Sequence, residues 1–347
     1  MRKNLLDFSY EELVEEFAKL GLEKFRVDQV WDWIYKKKVF NFDEMTNLSK
    51  QQRNALGERF FIGVPELIDM QVSKIDKTTK FLWKLEDGNT IESVLLFHPD
   101  RVTACISSQV GCPAKCAFCA TGQSGYVRNL TAGEITAQII AMEKERKVNI
   151  GNIVYMGMGE PLLNYEEVVK SVRILNHKKS KNISMRRISI STVGIPEKII
   201  DLAKDLPEVK LAISLHAPTN FKRDIIVPMN KKYSVEEIIH AAKEYQKITK
   251  NRVTFEYILI REFNDYVDDA EKLADLLKGM GAYVNLIPVN PVPSTGDIKM
   301  ERPHHWMIER FKEVLDKRNI ENEIRKEKGT DIDAACGQLR RRYTTKA

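Results

Sequence analysis

Val102-Thr103-Ala104-Cys105-Ile106-Ser107 leads, after three residues, into Gly111-Cys112-Pro113-Ala114-Lys115-Cys116-Ala117-Phe118-Cys119. The first stretch is a short, mostly apolar run and predicts a buried strand. The second sets three cysteines at C-x3-C-x2-C spacing in the loop that follows. Thiolates are soft ligands that suit zinc or iron–sulfur clusters. A structural zinc site is tetrahedral and closed, so it needs a fourth ligand from Cys105, Cys336 or a histidine. Three thiolates can instead hold three irons of a 4Fe–4S cluster and leave the fourth iron open for a substrate; an ordinary electron carrier supplies four cysteines.

Outward from this loop the chain alternates between strand and helix patterns. The expected strands are 102–107, 152–156, 187–191, 210–215, 253–260 and 283–288, each followed by a helical pattern, with a last strand at 321–325. Runs such as Leu211-Ala212-Ile213 read as strands of a parallel sheet covered by helices. Thr131 with Glu134 and Ser234 with Glu237 are capping boxes that start two of the helices. Six βα units are fewer than the eight that close a full barrel. The fold class is therefore α/β, a partial (βα)6 barrel.

Before the barrel lies a helical accessory module. Ser9 with Glu12 starts a helix that carries Leu13, Phe17 and Leu20 on one face, and Gly21 is placed to end it. Val27, Val30, Trp31 and Ile34 mark a second helix, and a third starts near Ser49. Thr79–Glu86 and Thr90–Phe97 flank an Asp87-Gly88 turn and predict a β-hairpin. The domain expectation is residues 1–90 for the helical module plus hairpin, 91–328 for the partial barrel and 329–347 for a C-terminal tail.

Composition sets limits. The chain has 347 residues, 43% apolar and 30% charged, which excludes a wholly disordered chain. No stretch approaches the roughly 20 apolar residues of a membrane helix, and the N-terminus lacks the apolar core of a signal peptide; both point to the cytoplasm. Five cysteines in a chain of this length do not form a disulfide framework. A net charge of +6 permits a nucleic-acid partner without requiring one.

The cysteine spacing, with an aromatic before the last cysteine and a strand before the loop, resembles the radical S-adenosylmethionine superfamily. The resemblance implies a 4Fe–4S cluster on Cys112, Cys116 and Cys119. It also implies that S-adenosylmethionine is bound at the open iron and cleaved to a 5′-deoxyadenosyl radical. Cofactor contacts are expected where strands end. The candidates are Gly159 and Glu160 in Met156-Gly157-Met158-Gly159-Glu160-Pro161, then Ser191, then Ser214-Leu215-His216, and Asn290. Glycines allow close backbone approach, and Glu160 can pair an ammonium group.

Two further cysteines narrow the family. Cys105 lies on the strand entering the loop, and Cys336 lies in Ala334-Ala335-Cys336-Gly337-Gln338-Leu339. With Cys105-Ile106-Ser107-Ser108-Gln109-Val110-Gly111-Cys112 and Met156 to Tyr165, these segments resemble the ribosomal-RNA adenine C2 methyltransferases, the RlmN type. That resemblance implies methylation of 23S rRNA at the peptidyl-transferase centre and of tRNA just 3′ of the anticodon. It implies two S-adenosylmethionine molecules per turnover, an S-methylcysteine on Cys336, a transient disulfide between Cys105 and Cys336, and Glu92 as the acceptor of the C2 proton. Thiolate is the reactive form of such a cysteine. A flavodoxin-type electron donor and a monomeric chain are also expected. Arg340-Arg341-Arg342-Tyr343 and the stretch Lys178, Lys179, Lys181, Arg186 and Arg187 are candidate RNA contacts. The related C8-adenosine methyltransferase that confers antibiotic resistance shares the cysteine framework and is the alternative; a zinc-stabilised RNA-binding protein is a second one.

Overall fold

The structure is a computed structural model that describes residues 2–290, 292 and 298–339. Its centre is one ten-stranded sheet whose strands lie side by side in chain order. They are β1 (Glu66–Val72), β2 (Thr79–Lys84), β3 (Thr90–Phe97), β4 (Val102–Cys105), β5 (Asn152–Tyr155), β6 (Ile188–Thr192), β7 (Lys210–Ser214), β8 (Thr254–Leu259), β9 (Tyr283–Pro288) and β10 (Glu321–Ile324). From β4 to β10 neighbouring strands pair in parallel. From β1 to β4 they pair antiparallel. The six βα crossovers expected from the alternation carry the chain from β4 to β10, and the sheet stays open as a partial barrel.

The parallel strands are apolar because both faces are covered. Ile190, Leu211, Ile213, Phe255, Tyr257, Val284 and Leu286 are all essentially inaccessible, and the helices between them supply the cover. The three expected capping boxes form at Ser9, Thr131 and Ser234, and a further one, not expected, forms at Ser49 with Gln52; in each the third helical residue reaches back to the cap. Each such cap contributes about 1 kcal/mol. The hairpin appears as β2 and β3. Its outer neighbour β1 was not expected, although Ile68, Met70 and Val72 alternate along it; the three side chains are exposed on this edge strand.

The N-terminal helices α1 (Tyr10–Ala18), α2 (Lys24–Trp31) and α3 (Lys50–Arg59) build a second core from Leu13, Phe17, Val27, Trp31 and Leu56. Ala137, Ile140 and Ile174 of the barrel's helices complete it. Behind this core the Glu143 carboxylate takes Lys38 at 2.6 Å and Lys181 at 2.7 Å, and it accepts from the Ile150 N–H. Breaking one partner of such a buried group costs several kcal/mol.

After β10 the chain crosses to the other side of the sheet. Lys328 Nζ donates to the Phe97 carbonyl at the end of β3. Gly329 N–H donates to Asp76, Lys74 N–H to Asp331, and Lys80 Nζ to the Ile332 carbonyl. The segment from Arg325 to Leu339 thus bridges the last strand and the hairpin. It brings Cys336 over the strand ends.

Candidate active site

Three thiols converge on the loop after β4. A short antiparallel pair, Gln109–Gly111 with Tyr126–Asn129, ties the loop's two ends together. Gly111 has φ +77°, and a Cβ there would lie 1.9 Å from the Gly125 carbonyl oxygen, so only glycine fits. Ala117 N–H donates to the Ile226 carbonyl at 2.9 Å, fastening the loop to the helix Asn220–Ile226. Cys112, Cys116 and Phe118 pack among Val193, Ala217, Ile226 and Ile258. Burial pushes the Cys112 thiol up to about 12 and the Cys116 and Cys119 thiols up as well. Thiolates in such surroundings need cationic partners, which iron supplies. Among the described residues no group of three His, Cys, Asp or Glu is arranged to hold a single metal ion. Cys112, Cys116 and Cys119 nevertheless line one cavity, and three soft thiol donors on one loop fit an iron–sulfur cluster by their chemistry.

Beside the thiols lies a cavity of about 140 Å³ lined by Gly159, Glu160, Ser191, Ser214 and His216, all candidates on sequence. Glu160 is fully enclosed. Its carboxylate accepts from Leu162 N–H at 2.9 Å and Val193 N–H at 2.8 Å. Burial nevertheless pushes it up to about 7, with the two backbone bonds opposing. The Ser191 and Ser214 hydroxyls stand 3.4 Å apart on adjacent strands. His216 has φ +61°, its Nδ1 accepts from Ile258 N–H at 3.0 Å, and its ring meets Phe118 edge-on. Burial, aided by Arg223, pushes it down to about 3, so it is neutral and carries its proton on Nε2. Gly159, at φ +110°, makes its close approach to the chain itself: a Cβ there would lie 2.6 Å from Ser108 Oγ. The Leu215 side chain is turned into the main core.

A larger cavity, about 450 Å³, holds Cys105, Asn290 and Cys336. The two cavities meet, because Cys336, Arg325, Cys119 and Met156 line both. The segment around Cys336 is clamped to the cysteine loop: Ala120 N–H donates to the Gly337 carbonyl at 2.7 Å, and Thr121 Oγ1 donates to the Leu339 carbonyl at 2.6 Å. The Asn290 amide donates to the Cys336 carbonyl at 3.1 Å. Burial, then the nearby Cys336 charge, pushes the Cys105 thiol up to about 12. Glu92 is buried on β3. It shares a strand face with Val94 and Leu96, both of which line this cavity. The Arg340 to Tyr343 candidates lie outside the described residues.

Sequence reasoning missed three residues. Arg325, at the end of β10, sits within hydrogen-bonding reach of the Cys336 sulfur. The charges of Cys336, Glu256 and Cys105 hold its guanidinium ionised against burial. Glu256 lies 3.8 Å from it and accepts from Asn285 Nδ2; burial raises this carboxyl. Arg223 is wholly buried. It donates to the carbonyls of Leu215, Ser214 and Val193 and to Asn230, so it holds together the strand ends that carry the two serines. The one available signal was a charged residue inside an apolar strand, as Glu256 is in Thr254-Phe255-Glu256-Tyr257-Ile258-Leu259.

An open partial barrel with a three-cysteine loop at its strand ends defines the class, a radical S-adenosylmethionine enzyme scaffold. Residues 106–277 match the radical SAM superfamily, and residues 3–62 match the ribosomal RNA large subunit methyltransferase N-terminal domain. The chain is 87% identical over 345 residues to a probable dual-specificity RNA methyltransferase RlmN of Fervidobacterium nodosum, covering 99% of each chain. It is 66% identical over 338 residues to the Thermotoga maritima protein of the same name, covering 97% of each. The crystal structure of a radical SAM methyltransferase from Sphaerobacter thermophilus superposes with a TM-score of 0.93 at 43% identity, over 97% of this chain and 99% of that one. The chain belongs to the RlmN family of dual-specificity RNA methyltransferases within the radical SAM superfamily.

Proposed function

We propose that this enzyme methylates carbon 2 of adenosine in the peptidyl-transferase centre of 23S rRNA and in tRNA just 3′ of the anticodon, through an S-methylcysteine on Cys336. The observation that carries this reading is the meeting of two cavities at Cys336. One side faces the cysteine loop and Glu160, the other faces Cys105.

The assignment of roles follows the chemistry each position allows. Cys112, Cys116 and Cys119 hold the cluster, and Gly159, Glu160, Ser191, Ser214, Leu215, His216 and Asn290 surround S-adenosylmethionine, Leu215 through its backbone. When bound, these cofactors supply a methyl group to Cys336 and, from a second S-adenosylmethionine, the radical that removes one hydrogen from that methyl. Adenine carbon 2 is not nucleophilic, so the chain provides a covalent route. The Cys336 thiolate accepts the methyl and then tethers the RNA through that carbon. Glu92 takes the C2 proton. The Cys105 thiolate attacks the Cys336 sulfur; an S–S bond forms as the S–C bond breaks, and the freed carbon keeps the electron pair and takes a proton to become the methyl group. The methylated base leaves, and two electrons from the reductant return the disulfide to thiols. Arg325 stands beside both sulfurs and stabilises whichever is the anion. The reductant is of flavodoxin type, and the enzyme works as a monomer in the cytoplasm. No helix among the described residues is long and apolar enough to cross a membrane.

Anaerobic reconstitution followed by nucleoside mass spectrometry tests this. Product confined to 2-methyladenosine supports it. Product confined to 8-methyladenosine assigns the related C8 chemistry, and a colourless protein with stoichiometric zinc overturns the radical mechanism.

A further inference from the structure

The larger cavity has a second end. Its upper wall is made by the C-terminal ends of strands, where Cys105 and Gly157 lie. Its lower wall is made by residues at the N-terminal ends: Arg101 immediately before β4, Arg187 immediately before β6 and Lys210 at the start of β7. Lys326 and Lys328, on the crossing segment after β10, line the same space. Full barrels fill this axis with side chains. Here the sheet does not close, and a continuous space runs from the two sulfurs to the opposite face.

That opposite face is cationic. Among the described residues, Arg187, Lys210 and Lys326 take part in none of the ion pairs found. Of the basic stretch before β6, Lys179, Lys181 and Arg186 are tied to Asp28, Glu143 and Glu208, so Arg187 is the member that faces the cavity. The charges of Arg101 and Lys328 add to burial in holding the neighbouring His98 below its usual range. On the same face, where β8 and β9 begin, Lys243, Lys247, Lys250 and Lys278 line a further concavity of about 730 Å³.

We propose that the RNA docks on this N-terminal face of the barrel, and that the target adenosine is extruded upward through the lumen to reach Cys336. Arg187, Lys210 and Lys326 hold the phosphates that flank the extruded nucleotide. This deepens the RNA methyltransferase reading and rests on it. Charge complementarity selects a polyanion, and the cavity selects one with a group to insert. A base swung out of its stack is such a group. The cysteine loop and S-adenosylmethionine then occupy one end of the barrel and the RNA the other, so the two substrates do not compete for one opening.

The test uses the full chain, reconstituted anaerobically, with Arg187→Glu, Lys210→Glu and Lys326→Glu combined. All three side chains are exposed, so the fold tolerates the change. Two quantities are measured: methylation of Cys336 by S-adenosylmethionine without RNA, and binding of unmodified 23S rRNA fragment as salt is varied. The wild type should form S-methyl-Cys336 and bind RNA with a steep salt dependence. The variant should keep Cys336 methylation and lose RNA affinity by roughly tenfold or more. Its log–log salt slope should fall by about 2 to 3, close to one for each phosphate that is no longer neutralised. Unchanged RNA affinity and slope in the variant, with normal wild-type behaviour, overturns the docking face alone. A wild type that neither methylates Cys336 nor binds RNA overturns the underlying function instead.

Discussion

Cys105 closes a central strand of the sheet and Cys336 lies near the end of the chain, yet the two line one cavity with the Arg325 guanidinium beside both. Neither pairs in a disulfide in this structure. The proposed function makes Cys336 the thiol that receives the methyl group and Cys105 the thiol that resolves the tether.

Separate removal of the two thiols should therefore give different results. Cys105→Ala should accumulate RNA covalently joined to Cys336, because the bond to the methyl-derived carbon can no longer be broken by thiol exchange. Cys336→Ala should form no such adduct and no methylated base. Denaturing gels with labelled RNA, followed by peptide mass spectrometry, distinguish them. Turnover by both variants would refute a covalent route.

Arg325→Met should slow both thiol steps. A preorganised cationic donor at a reacting group is worth about 10²-fold or more, so methylation of Cys336 and release of the tethered RNA by Cys105 should each slow by about that factor. Arg325→Lys should recover part of the rate, since it keeps the charge and loses the planar fork. Glu256→Gln, which leaves the guanidinium without its 3.8 Å carboxylate partner, should have a smaller effect in the same direction. Single-turnover mass spectrometry of the Cys336 peptide separates the steps. Equal rates in all four proteins would remove Arg325 from the thiol chemistry.

These polar partners were not legible in the sequence, and the reason is geometric. The barrel itself was readable because strands covered on both faces must be apolar and because two of its helices announce themselves with capping boxes at Thr131 and Ser234. The three-cysteine loop was readable from spacing alone. Arg325 and Glu256 lie on different strands and meet only when β8, β9 and β10 assemble side by side. Arg223 sits on a short helix and acts through carbonyls of two strand ends, which leave no trace in local pattern. Gly159 was legible as a tight position, but what it approaches is Ser108 of the neighbouring segment. The edge strand β1 did leave a signal, the alternation of Ile68, Met70 and Val72, which the reading of the sequence passed over.

Glu160 gives a pH signature. Burial holds its carboxyl at about 7 in the free protein, so it is largely protonated at pH 6 and ionised at pH 8. If the carboxylate receives the ammonium of S-adenosylmethionine, affinity should rise as pH increases through about 7 and level off above it, by up to about tenfold per unit below the midpoint. Binding at pH 6.5 should release a proton. Glu160→Gln should bind weakly and without this pH dependence. Calorimetry in buffers of different ionisation enthalpy reads both quantities, and a flat profile in the wild type would place the ammonium elsewhere.

Gly111→Ala should disable the cysteine loop while leaving the barrel folded. The substitution adds backbone strain of about 1–3 kcal/mol at φ +77°. It also drives a methyl group into the Gly125 carbonyl, which must separate the two short strands that close the loop. Iron content after reconstitution should fall well below that of the wild type, while far-ultraviolet circular dichroism is retained. Full iron loading would show that the loop tolerates the displaced Gly125.

The central claim is that the methyl group passes through Cys336 and loses one hydrogen there. Reaction with S-adenosylmethionine carrying a CD3 methyl measures this directly. The account predicts 2-methyladenosine that retains two of the three deuterium atoms, with the third recovered in 5′-deoxyadenosine. Product that keeps all three, or labelled product from the Cys336→Ala variant, would contradict it.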